Sequence, residues 1–156
     1  MRYGSFSVAD TYLRIIPVDP QCVLSALARE RALGVLQRAV ALADDFQSRV
    51  TSEVRFVDCG ANFETVRCPG CGADLGEWWS IAMEVADEQQ FRDLRATLPC
   101  CGLHTSLNAL VYSWPAGFAR YTLEALNPGI GSLPERVVGR LEAALGARIR
   151  VIWAHY

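Results

Sequence analysis

Lysine is missing from this chain. All fifteen basic residues are arginine, set against seventeen acidic ones for a formal charge of −2. That balance gives no global field to draw in nucleic acid or anionic lipid. Histidine is nearly missing too, with only His104 and His155 in 156 residues, so conventional imidazole acid–base designs have little to work with. No apolar run approaches the 18 residues that a membrane-spanning helix needs. The opening Met1-Arg2-Tyr3-Gly4-Ser5-Phe6-Ser7-Val8 lacks the apolar stretch of a secretory leader, which makes a reducing cytoplasm the expected location. The P-loop, G-x-S-x-G, G-x-G-x-x-G and H-E-x-x-H patterns are absent, as is any low-complexity tract or visible internal repeat.

What is present is a globular composition, 51% hydrophobic and 21% charged, at a length that fits one domain or one domain with an insertion. Tyr12-Leu-Arg-Ile-Ile16 reads as a strand closed by Pro17. Asp19 and Pro20 then have the look of a helix N-cap and first turn, with Gly34 able to divide the helical spacing that runs to about residue 45. A second strand is expected over 53–57. The order repeats at the other end, with a strand over 117–126 stopped by Asn127-Pro128-Gly129. A helix behind the capping-box sequence Ser132-Leu133-Pro134-Glu135 follows, with Gly146 as its stop, and then an alternating strand over 149–154.

Two βαβ units sharing one four-stranded sheet predict an α+β, ferredoxin-like fold. Residues 12–58 and 117–154 form its halves, and both helices lie on one face. Residues 59–113 are then an inserted lobe. At about fifty-five residues it is small for an independent core and suited to a metal staple. Within it, a strand over 63–67, helical spacing through Trp78, Trp79, Ala82, Met83 and Ala86, an extended stretch over 94–98 and a short helix capped by Thr105 are expected.

Four of the six cysteines fall in that lobe, as Cys68-Pro69-Gly70-Cys71 and the adjacent pair Cys100-Cys101, each followed by glycine. Four thiolates suit a tetrahedral metal with Zn–S near 2.3 Å, and the glycines permit the positive-φ turns that bring a backbone under its sulfurs. A vicinal disulfide at 100–101 would be strained. Adjacent residues of a regular strand point to opposite sides, so a kink at Pro99 and Gly102 is required if both are to reach one ion. The competing ligand set exchanges one of the adjacent cysteines for His104. Cys22 reads as a buried helical residue, and Cys59 as a minor candidate ligand.

Cys68-Pro69-Gly70-Cys71-Gly72 resembles one knuckle of the zinc-ribbon and rubredoxin group, and Cys100-Cys101 is similar to the desulforedoxin variant, in which adjacent cysteines share the metal. The chain as a whole resembles uncharacterised bacterial proteins with such a ribbon embedded, a likeness that implies no activity. The resemblance implies a Cys₄ centre holding Zn²⁺, with Fe and a rubredoxin-like electron-transfer role as the alternative.

Four thiolates would close the coordination sphere that a catalytic zinc leaves open, so an enzyme is the minority reading, with Asp58 or Glu64 as its only carboxylate candidates. Nucleic acid is disfavoured by the lobe's charge: seven acidic residues against Arg67, Arg92 and Arg95 make residues 59–113 −4. A protein-interaction or regulatory role with a basic partner remains, together with a homodimer through the sheet's open face or edge. Trp78, Trp79 and Trp114 are candidate contacts, set against a core role.

Overall fold

The computed structural model describes residues 9–156. The stretch 1–8, on which the absence of a leader was read, lies outside it. The described residues form a mixed α/β structure with three α-helices and an antiparallel sheet of four strands. β1 (Thr11–Pro17) leads to α1 (Ala26–Ala39) and β2 (Asp45–Val57). Further on come β7 (Gly117–Leu126), α3 (Glu135–Leu145) and β8 (Ile149–His155). The sheet order is β2-β7-β1-β8, with Ile15 opposite Leu123 and Val151, and Leu13 opposite Ala125 and Trp153. Between β2 and β7 the chain makes β3 (Val66–Arg67), α2 (Gly76–Glu88), β4 (Arg95–Thr97), β5 (His104–Ser106), a 3₁₀ turn (Leu107–Ala109) and β6 (Val111–Tyr112).

The period-2 pattern decides which face α1 and α3 cover. Leu13 and Ile15 of β1 and Tyr121, Leu123 and Ala125 of β7 are buried against Ala32 and Leu36 of α1 and Val137, Leu141 and Leu145 of α3. A second core forms where the ends of β2 and β7 meet the middle segment. There Val54 and Phe118 pack with Val66, Leu75, Ala86, Leu98 and Tyr112. Arg150 ties the two regions together, its Nη1 donating to the carbonyls of Asn108 (3.2 Å) and Ala116 (2.9 Å) and to Asn108 Oδ1 (3.0 Å).

Several elements depart from the sequence expectation. The helix does not start at Asp19. That carboxylate instead accepts from Gln21 N–H (3.0 Å) in a local turn, and the true N-cap is Ser25, whose hydroxyl accepts from Ala28 N–H (3.1 Å). Cys22 therefore lies in the turn before α1, half-buried. Gly34 sits inside α1 without breaking it. β2 is 13 residues long, far beyond the expected five, because its polar half pairs with β7 as an edge strand and shows no apolar alternation. Its register shifts between Val50 and Arg55. The capping box at Ser132 does not form. Pro134 takes the N-cap position and no side chain caps α3, while Gly146 does close it in the left-handed region at φ 66°. Thr105 belongs to β5, and Ser106 caps the 3₁₀ turn by accepting from Asn108 N–H (3.1 Å).

Part of the sheet's helix-free face is covered by the chain itself. After Val57 the chain crosses beneath β1, where the Asp58 carbonyl accepts from Arg14 Nη1 (3.0 Å). It then pairs with the end of β8, Ala61 N–H donating to the His155 carbonyl at 2.7 Å. Under this strap Cys59, 1% exposed, packs with Ile16, Val57, Ala119 and Ile152. Gly60 is essential to the crossing. It sits at φ 60°, and a Cβ there would collide with the His155 carbonyl oxygen. Gly60→Ala is expected to lower unfolding stability by at least about 1–3 kcal/mol. Equilibrium urea unfolding checks this, and a variant as stable as the parent would contradict the role of the strap.

Candidate metal centre

Four cysteines between β2 and β7 come to one point. The sulfurs of Cys68, Cys71, Cys100 and Cys101 all lie within 4.8 Å of one another, with Cys68–Cys101 at 3.7 Å and Cys100–Cys101 at 3.9 Å. A tetrahedron with arms near 2.3 Å has edges of about 3.8 Å. All four are free thiols. The donor set and its spacing fit a divalent ion with soft, four-coordinate preferences.

Two turns of one design build this cluster. In the first, Cys68 N–H donates to the Ala73 carbonyl (2.9 Å) and Gly72 N–H to the Cys68 carbonyl (3.0 Å). In the second, Leu98 N–H donates to the Leu103 carbonyl (2.9 Å) and Gly102 N–H to the Leu98 carbonyl (2.9 Å). Gly72 and Gly102 share the left-handed conformation, φ 76° and 74°. Aligned by these bonds, Cys68-Pro69-Gly70-Cys71-Gly72 corresponds to Leu98-Pro99-Cys100-Cys101-Gly102. Cys71 and Cys101 are equivalent, whereas Leu98 stands where the first turn has Cys68. Cys100 supplies the missing sulfur from the third position, where the first turn has Gly70. Geometry explains why this position works: a Cβ built on Gly70 would lie 3.6 Å from Cys68 Sγ and 3.8 Å from Cys101 Sγ, already heading into the cluster. The repeated Pro-x-Cys-Gly at 69–72 and 99–102 is the sequence signal of this repeat, and it is too short to register as one without the hydrogen bonds.

Cys68 is buried, while Cys71, Cys100 and Cys101 are exposed. The Cys71 and Gly70 N–H groups donate to Cys68 Sγ at 3.4 and 3.3 Å, and with them the thiol is lowered to about 6. Cys100 is pushed up to about 12, first by lost hydration among the other sulfurs and then by its hydrogen bonds with Cys71 and Cys68. Four thiols so close cannot all ionise unaided, and a dication is what allows them to.

No known family model, curated protein or solved structure matches this chain. The reading of the centre therefore rests on its own geometry. His104 stands outside the group; it lies in β5, and its Nδ1 is 2.8 Å from Thr97 Oγ1 on the paired strand. Cys59 also stands outside, beneath the sheet. Asp58 is committed elsewhere, its Oδ2 accepting from Tyr156 O–H (2.6 Å) and Gly60 N–H (2.9 Å), and Glu64 is exposed. Of the tryptophans, Trp79 is structural: its indole stacks on Phe63 at 5.2 Å and donates Nε1–H to Tyr112 O–H (3.1 Å). Trp78 packs against the same core, and Trp114 is 46% exposed at φ 59°. Burial drives the Tyr112 phenol up to about 12, and it donates to the Leu107 carbonyl at 2.7 Å. Sequence reasoning located the four sulfurs but missed Leu98, which takes in the second turn the place that Cys68 has in the first.

Proposed function

We propose that the chain is a zinc-binding protein whose Cys68, Cys71, Cys100 and Cys101 hold one structural ion, and that its role is non-catalytic: a protein-interaction or regulatory one. The observation that carries this reading is the convergence of four sulfurs, within 4.8 Å, from two turns of matching hydrogen-bond pattern. A four-thiolate sphere offers no open coordination position for water or substrate, and no carboxylate or imidazole joins the cluster. The strand order β2-β7-β1-β8, with α1 and α3 both packed on one face, supports a ferredoxin-like reading of the frame. Residues 59–113 are then its inserted lobe. The turns themselves support a ribbon-type knuckle pair of the desulforedoxin kind.

The lobe's −4 charge suits a basic partner surface, through steering more than through raw affinity. On α2, Ile81 and Val85 are 64% and 52% exposed beside Glu77, Glu84 and Glu88. An apolar pair rimmed by carboxylates is the kind of surface such a partner would cover.

Elemental analysis combined with native mass spectrometry on protein purified from its own host tests the proposal. One zinc per chain and a co-purifying basic protein are the expected result. Stoichiometric iron with a visible absorption band would replace the zinc reading by electron transfer, and a metal-free chain would end it.

A further inference from the structure

Beyond the metal centre, a cavity of about 190 Å³ lies over the sheet's helix-free face, between the strap and the edge strand β2. Four arginines line it, from three strands: Arg14 of β1, Arg49 and Arg55 of β2, and Arg120 of β7. Arg14 is neutralised by Glu124 (2.9 Å) and Asp58 (3.4 Å). No ion pair among the described residues involves the other three. Arg120 is oriented by donating Nε–H to the Thr51 carbonyl (3.1 Å), inside the stretch where β2 slips register against β7. The hydroxyl-bearing Thr51 and Thr122 line the same space. A chain that is acidic overall thus collects an excess of two positive charges in one concave place, an arrangement that repels itself until an anion enters.

We infer that this cavity binds a small ligand through a phosphoryl group. A carboxylate is planar and is satisfied by a single guanidinium fork. A phosphoryl group presents three oxygens in different directions and can be held by several arginines arriving from different strands. Arg49, Arg55 and Arg120 are the proposed anion contacts, with the Thr122 hydroxyl as a further donor; the Thr51 hydroxyl is committed to the Glu53 carbonyl (2.6 Å). Glu124 and Asp58 keep Arg14 in place at the cavity's other end.

The test is a calorimetric titration of the metal-loaded full chain with inorganic pyrophosphate at about 0.1 M ionic strength, where unscreened contacts must be short-range. Saturable one-to-one binding is expected, weakened at least tenfold in Arg49→Ala/Arg55→Ala. Both of those side chains are exposed and make no ion pair among the described residues, so the variant should keep the parent's circular dichroism. The control is Arg136→Ala/Arg140→Ala, in a second arginine-lined groove between α1 and α3, which should leave the affinity unchanged. Citrate, rich in carboxylates, should bind at least tenfold more weakly than pyrophosphate. No saturable binding, equal loss in both variants, or equal affinity for citrate would each overturn the assignment. None of these outcomes bears on the metal content of the cysteine cluster.

Discussion

Removing the proposed ion is expected to unfold residues 59–113 while the four-stranded sheet and its two helices persist. The lobe's regular structure is slight: β3 pairs with β6 over two residues and β4 with β5 over three. Ladders that short do not hold themselves together in water. The free energy of binding structural zinc, about 10–16 kcal/mol in small zinc domains, exceeds what such packing supplies. The sheet, by contrast, has its own core between α1 and α3, with no residue from the lobe in it. A chelator titration read by near-ultraviolet circular dichroism should therefore lose the signal of Trp79, which depends on its stacking with Phe63 and its bond to Tyr112. Amide exchange should accelerate at Gly72, Leu98 and Gly102, whose bonds define the turns, and stay slow in β1 and β7. Acid acts in the same direction as the chelator, because protons compete for the same sulfurs. An aromatic signal unchanged after complete metal removal would show that packing alone holds the lobe.

The second large effect concerns the exchange of Leu98 and Cys100. Cys100→Gly leaves three sulfurs and makes the second turn read Leu-Pro-Gly-Cys-Gly. Zinc affinity should fall by at least about 100-fold, since loss of a ligand must exceed the 10–100-fold typical of losing only a ligand's supporting partner. Adding Leu98→Cys should restore it to within about tenfold of the parent, because Leu98 occupies in its turn the place of Cys68, and both are buried in the same core. The double variant would present Cys-Pro-Gly-Cys-Gly twice. Competition against a chromophoric chelator measures each step. A double variant binding no better than Cys100→Gly would disprove the equivalence of the two turns.

What could be read from the residues alone follows a physical division. In β7, Tyr121, Leu123 and Ala125 alternate with Thr122 and Glu124 because one face is buried under the helices; β1 and β8 carry apolar residues on both faces, Ile16 and Ile152 being buried beneath the strap, and both patterns are visible in sequence. The first half of β2 carries Asp45, Gln47, Ser48 and Arg49, and nothing in that run marks a strand. Only its pairing with β7 makes it one. Asp19-Pro20 and Ser132-Glu135 both carry the chemistry of helix starts, yet in each case the chain satisfies its backbone in another way. The four sulfurs were legible because cysteine pairs flanked by proline and glycine have few other uses. The arginine cavity was not, since its arginines are scattered over positions 14 to 120 and only the sheet assembles them.

Val57 and Gly117 face each other across β2 and β7, so the intervening lobe leaves and rejoins the sheet at neighbouring points. A module fused through one linker can swing freely; one suspended from two adjacent strands, and further clamped by Arg150, cannot. Strain in this segment therefore passes first to the β2–β7 pairs nearest it, and Arg55, Phe56, Val57 and Ala119 of those pairs also line the arginine cavity.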